Sequence, residues 1–120
     1  AEPEGFDDVK RSLQSGQIER NAQTSGNICD AIITPAPGHI TFPIMHRLCG
    51  PGLAVSENEA LHAVAQAFLR LKLVAEPGGA VALAAALSRR DEIAGDDVIV
   101  VISGGNVDAP MFARALDTLE

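Results

Sequence analysis

The sequence predicts an α/β fold in which helices pack on a parallel sheet, as part of a three-layer domain. Three observations predict it. Residues 98–102, VIVVI, are consecutive β-branched apolar residues that stop abruptly at SGGN, the pattern of a strand buried on both faces and ending in a tight turn. Residues 80–87, AVALAAAL, are apolar nearly all round, so a helix there has to be buried on more than one side, between a sheet and other helices. The third is composition: 47% hydrophobic but 3% aromatic, with no Trp or Tyr, which suits small side chains packed closely between helix and sheet. At 120 residues, one modest domain is the ceiling.

Residues 1–5 carry Pro3 and Gly5, show no regular period and read as a connection. Residues 6–15 place Phe6, Val9 and Leu13 at helical spacing, with Asp7 and Asp8 at the start and Gly16 as a stop, which predicts a short surface helix. Residues 17–37 are mostly polar, turn apolar at 28–33, and close with Pro35, Pro37 and Gly38. Residues 38–49 carry Ile40, Phe42, Ile44, Met45 and Leu48 and predict a helix with Pro43 in its first turn, ended by Gly50-Pro51-Gly52. Residues 53–55 read as a short buried strand.

Ser56 with Glu59 forms a capping box for the strongest helix of the chain. Its wide apolar face runs through Ala60, Leu61, Val64, Ala65, Phe68, Leu69 and Leu71 to about residue 73. Lys72 reads as a cation at the C-terminus of this helix. A further helix starts at Glu76-Pro77, with Pro77 in the first position, where its missing N–H costs nothing. Gly78 and Gly79 in that first turn permit close approach of the backbone to a cofactor or a neighbour. Residues 88–97 form a polar return loop with a turn at Gly95-Asp96-Asp97. After the strand and its glycine turn, Asp108 as N-cap and Pro110 in the first turn begin the last helix.

The formal charge of −7 and the scarcity of aromatic residues argue against nucleic acid, because a negative surface repels phosphates and the chain has little to stack on bases. No apolar run approaches the roughly 20 residues of a membrane helix, and the N-terminal residues are acidic and polar, so a soluble cytoplasmic protein is expected. Cys29 and Cys49 stand outside any C-x-x-C spacing and are expected as buried free thiols. His39, His46 and His62 lack a metal-ligand spacing and read as structural.

Chemistry is expected at the turn after residue 102, because ligands of open α/β sheets bind beyond the carboxyl ends of the strands. Gly104 and Gly105 lack the Cβ atoms that would keep a ligand from the backbone. The spacing alone matches neither a dinucleotide fingerprint nor a phosphate-binding P-loop. It leaves open an independent, non-catalytic module that binds a small anion at the helix start or serves as an interaction surface.

SGGNVD after the apolar strand and EPGGAVALAAAL at 76–87 resemble the C-terminal part of the threonine/serine dehydratases (ammonia-lyases). The likeness extends to AEPEGFDDVKRSL at the start, NICDAI at 27–32 and SENEALHAVAQAFLRLKLVAEP at 56–77, in the family's order and over essentially the whole chain. These are pyridoxal-phosphate enzymes of the tryptophan-synthase-β-like fold. The resemblance implies that residues 1–120 are the C-terminal segment of the large domain of a fold-type II enzyme, incomplete on its own. It also implies a start at a strand end, as if cut there. The family's Schiff-base lysine, substrate-carboxylate loop and glycine-rich phosphate loop would then lie upstream.

As the resemblance implies, the intact enzyme deaminates a threonine- or serine-type hydroxyamino acid by β-elimination to a 2-oxo acid and ammonia. Ser103 would face the pyridine nitrogen of pyridoxal phosphate, supported by Gly104 and Asn106, and Glu76 would lie near the ring. A hydroxyl can only hydrogen-bond a largely neutral nitrogen, which makes a weaker electron sink than a carboxylate would. Asp30 would match a divalent or monovalent cation site. Residues 23–26, QTSG, supply no second carboxylate, and one carboxylate holds a hard cation poorly, so a structural hydrogen-bonding role stands beside it. A homo-oligomer is expected, since an apolar strand such as 98–102 would otherwise leave an open sheet edge.

Overall fold

The computed structural model describes residues 1–119. Its sheet is a parallel pair of two-residue strands, β1 (Glu2–Pro3) and β2 (Ala54–Val55), with Glu2 opposite Ala54 and Pro3 opposite Val55. The N-terminal stretch expected as a connection is therefore a strand. Pro3 fits because the donors come from its neighbours: Glu2 N–H donates to the Leu53 carbonyl at 2.9 Å and Glu4 N–H to the Val55 carbonyl at 2.8 Å.

The described residues form five α-helices, α1 (Asp8–Ser15), α2 (Phe42–Leu48), α3 (Glu57–Gln66), α4 (Pro77–Ser88) and α5 (Ala109–Leu116), of which α4 packs on both strands. Short 3₁₀ turns lie at Asp30–Ile32, Arg90–Glu92 and Asp117–Leu119. Helix α1 ends at Gly16 in the left-handed region (φ 74°). Its start is capped from outside: the Glu2 carboxylate accepts the N–H groups of Val9 at 3.0 Å and Lys10 at 2.8 Å, and Asp7 makes no side-chain cap. The last helix starts as expected, with the Asp108 carboxylate accepting the Met111 N–H at 2.7 Å.

Helix α3 is the centre of the core, packing on both α4 and α5. Leu61 and Val64 meet Ala80, Val81, Ala84 and Ala85 of α4, with Val55 and Cys29 in the same cluster. Alanine on both helices brings the two backbones close, so the aromatic-poor composition is what close helix packing uses. Phe68 and Phe112 close the α3–α5 end edge to face, with centroids 5.3 Å apart.

The capping box at Ser56 is present, and Glu59 does more than complete it. Its carboxylate forms a two-pronged pair with Arg89 at the end of α4, one prong Nη2 to Oε2 at 2.9 Å, while Oε2 also accepts the Ser56 N–H at 2.8 Å. The Arg89 guanidinium holds the Glu59 carboxyl down to about 2. A group whose folded pKa is depressed contributes stability above its unfolded value near 4.5 and loses it as pH falls through the folded value. Glu59→Gln is therefore expected to melt below the wild type at pH 6, with the gap closing as pH falls through about 2. Thermal melts at pH 6, 4 and 2 check this; an undiminished gap at pH 2 would show that the charge is not what matters.

Three expectations change. Residues 98–102 join no ladder among the described residues, and Ile99 is 94% and Val101 63% exposed. The apolar pattern is that of a buried strand, and no neighbouring strand supplies its hydrogen bonds. The apolar face of α3 does not continue straight to residue 73. The helix widens into a π turn at Ala67–Leu71, which changes the phase of the side chains and leaves Leu69 and Leu71 exposed. Cys29 is fully buried, its thiol pushed up to about 12 by burial and by the charges of Glu57 and Asp30, but Cys49 is exposed at the end of α2. All three histidines are exposed, and no helix among the described residues is long and apolar enough to cross a membrane.

Candidate functional site

The π turn ends at Lys72, which takes a left-handed conformation (φ 60°) and turns its ammonium back onto the Leu69 carbonyl at 2.9 Å. Lys72 is thus a helix cap, as its position in the sequence indicates. Residues 73–76 then run to the start of α4, where they meet the glycine turn. Two backbone hydrogen bonds join them: Ser103 N–H donates to the Gly79 carbonyl at 3.2 Å, and Glu76 N–H donates to the Gly104 carbonyl at 3.1 Å.

The glycines bring two stretches of backbone together. A Cβ on Gly104 would collide with the Glu76 carboxylate, and one on Gly105 would lie 2.6 Å from the Val74 carbonyl oxygen. A Cβ on Gly79 would lie 2.7 Å from the Gly104 nitrogen. The missing side chains let the turn lie flat against the first turn of α4, so the space is taken by the protein's own backbone and by Glu76.

Glu76, Asn106 and Asp30 come together in a cleft of about 90 Å³, shared with Asp108 and the apolar Ile28 and Met111. Ser103 does not line it. It sits beside it on the turn, exposed, and its hydroxyl makes no hydrogen bond among the described residues, so it is not spent on holding turn N–H groups. Larger hollows of about 400 Å³ lie elsewhere, one of them between α3 and α4 along His62, Gln66 and Leu87, with no residue of the turn in it.

The residues fit pyridoxal phosphate in one definite respect. Ser103 offers a free hydroxyl on a backbone fixed by two hydrogen bonds, which is what a neutral ring nitrogen would bond. The described residues lend the cation expectation at Asp30 no support. Asp30 is exposed, and among the described residues no three His, Cys, Asp or Glu side chains are grouped to hold a metal ion.

Sequence reasoning missed one acid altogether. Asp8 is 1% exposed; its Oδ1 accepts from Asn21 at 2.7 Å, while Oδ2 is buried with no hydrogen-bond partner among the described residues. Such an oxygen costs free energy. Burial also pushes the nearby Glu2 carboxyl up, and the Asp8 charge adds to that. Asp7-Asp8 reads in the sequence as an ordinary helix start; the hint otherwise is that two acids stand where one cap suffices.

The family described as "Pyridoxal-phosphate dependent enzyme" matches residues 1–105. A serine racemase of Dictyostelium discoideum is 38% identical over 120 residues, spanning 98% of this chain and 37% of that protein. An L-threo-3-hydroxyaspartate ammonia-lyase of Pseudomonas sp is 35% identical over 96% of this chain and 36% of its own length. The crystal structure of a threonine deaminase from T.th. superposes with a TM-score of 0.83 at 39% identity, over 89% of this chain and 36% of that one. The chain thus spans little more than a third of the length of these relatives. Since the match runs from the first residue through the glycine turn, strand, helices and turn alike, the chain belongs to the pyridoxal-phosphate-dependent enzyme family.

Proposed function

We propose that residues 1–120 are the C-terminal segment of the large catalytic domain of a pyridoxal-phosphate-dependent lyase. The intact enzyme would deaminate a hydroxyamino acid of the threonine or serine type to a 2-oxo acid and ammonia by β-elimination. The observation that carries this reading is the turn at 103–106, pinned to the first turn of α4 by two backbone hydrogen bonds and carrying an unengaged serine hydroxyl. The names of the relatives support the substrate class, since serine, threonine and 3-hydroxyaspartate all bear a β-hydroxyl beside the amino-bearing carbon.

Pyridoxal phosphate, when bound, supplies the electron sink for breaking the Cα–H bond and expelling the β-hydroxyl. In this reading Ser103 hydrogen-bonds the ring nitrogen, and its hydroxyl leaves that nitrogen largely neutral. Glu76 and Asn106 would border the ring, and the missing Cβ of Gly104 leaves room for the Glu76 carboxylate. The working form is proposed as a cytoplasmic homo-oligomer. A non-catalytic anion-binding module draws less support, because at the start of α5 the Met111 N–H is already taken up by the Asp108 carboxylate.

Two substitutions in the holoenzyme test the serine. Ser103→Ala is expected to weaken cofactor retention or lower turnover by about 1–2 kcal/mol, the scale of a lost neutral hydrogen bond. Ser103→Asp is expected to shift the bound cofactor's absorption toward its ring-protonated form. Wild-type spectra and rates in both would make the serine a plain turn residue.

A further inference from the structure

We propose that Gly79 is the positioning residue for the Ser103 hydroxyl, and that its neighbour Gly78 is not. The proposal rests on the reading of Ser103 as the partner of the ring nitrogen. In sequence the two glycines look interchangeable, a loose pair in the first turn of α4. In space they do different things. Around Gly78 a Cβ would meet Ile32 Cγ1 at 3.5 Å, Ala31 Cβ at 3.7 Å and Cys29 Cα at 3.8 Å, all ordinary contacts. Around Gly79 it would drive into the backbone of Gly104, 2.7 Å from the nitrogen and closer still to the carbonyl oxygen. A side chain can rotate out of the way; a peptide unit cannot.

The peptide in question is held from both sides. Ser103 N–H donates to Gly79, and the Gly104 carbonyl accepts from Glu76, so the turn is clamped across the first turn of α4 by a reciprocal pair of hydrogen bonds. Nothing else among the described hydrogen bonds fixes Ser103. A methyl group on residue 79 would lever this clamp open at its tightest point and lift the Ser103 hydroxyl from its place. Displacements of about 1 Å from a distant substitution can cost roughly 100-fold in rate. Gly79 would therefore act on the cofactor through Ser103, without touching it.

The test compares Gly78→Ala, Gly79→Ala and Ser103→Ala in the holoenzyme that carries this chain. The expected result has three parts. Gly78→Ala keeps the wild-type protection of the Ser103 and Glu76 amides against hydrogen exchange, and keeps the wild-type pH titration of the bound cofactor's absorption. Gly79→Ala retains a cooperative melt but loses that protection, and shifts the cofactor titration in the same direction as Ser103→Ala. Its turnover falls roughly 100-fold, beyond Ser103→Ala, because the whole turn moves.

If Gly79→Ala does not fold, replacing the Ser103 amide by an ester removes the N–H without adding an atom. The same loss of protection at Glu76 and the same spectral shift are then expected. A Gly79 variant or ester with amide protection lost and the cofactor titration unchanged, beside a shifted Ser103→Ala, overturns the positioning role. A Ser103→Ala enzyme with an unshifted titration overturns the reading of Ser103, and this proposal with it, whatever the amides do.

Discussion

Incubated with pyridoxal phosphate and threonine or serine, the 120-residue chain alone is expected to yield no 2-oxo acid above a cofactor-only control. The expectation rests on its lysines. Enzymes of this chemistry need an amine that can bond the cofactor's aldehyde and move the Cα proton, and that amine has to be freed from other partners. The chain has two lysines, Lys10 and Lys72. The Lys72 ammonium is directed to the Leu69 carbonyl at the end of the π turn, and Lys10 lies on α1 with its Cβ pressed against Gly52. Neither lines the cleft of Glu76 and Asn106. The loss is expected to be complete rather than partial. Turnover that Lys72→Ala abolished would overturn it.

The second large effect is on assembly. At micromolar concentration the isolated chain is expected to sediment as a dimer or larger. Among the described residues, 98–102 join no ladder, Val98, Ile99 and Val101 are exposed, and Leu71, Leu73 and Val74 are exposed as well. An unpaired apolar strand is a template for pairing. Covering several hundred Å² of apolar surface at roughly 25 cal/mol per Å² offers many kcal/mol, enough to exceed the low end of the cost of association. Replacing Ile99 and Val101 by lysine is expected to return the chain to a monomer. A cooperative melt and a monomeric wild type would show that the segment covers its own apolar surface.

What could be read in the sequence was whatever local chemistry dictates. The Ser56–Glu59 box, Pro77 and Pro110 in first turns, Asp108 as a cap and Gly16 as a stop all act within one helical turn, and each is where the residues place it. The family was legible because its motifs are ordered runs rather than single residues. Partners distant along the chain were not legible. Arg89 reaches Glu59 thirty residues away, Glu2 caps α1 from outside it, and Asp30 joins Glu76 and Asn106 in one cleft. The strand at 98–102 shows the converse: its composition records an environment that the described residues do not provide.

The π turn at Ala67–Leu71 makes the site sensitive to residue count. In it the Lys72 N–H reaches the Ala67 carbonyl as well as that of Phe68, and the Leu73 N–H also returns to Ala67, so the loop holds one residue more than an α-helical turn would. That surplus is the slack between two fixed points, the Ser56 cap and the Glu76 N–H that meets Gly104. Removing one residue from the turn would let the helix close tightly, and it would draw the following segment along by one position. Pro77 would then stand where Glu76 stands, with a pyrrolidine ring in place of the carboxylate and no N–H to meet Gly104. A single-codon deletion far from the cleft would thus act on it as a point substitution does, and a compensating insertion within 73–75 would undo it.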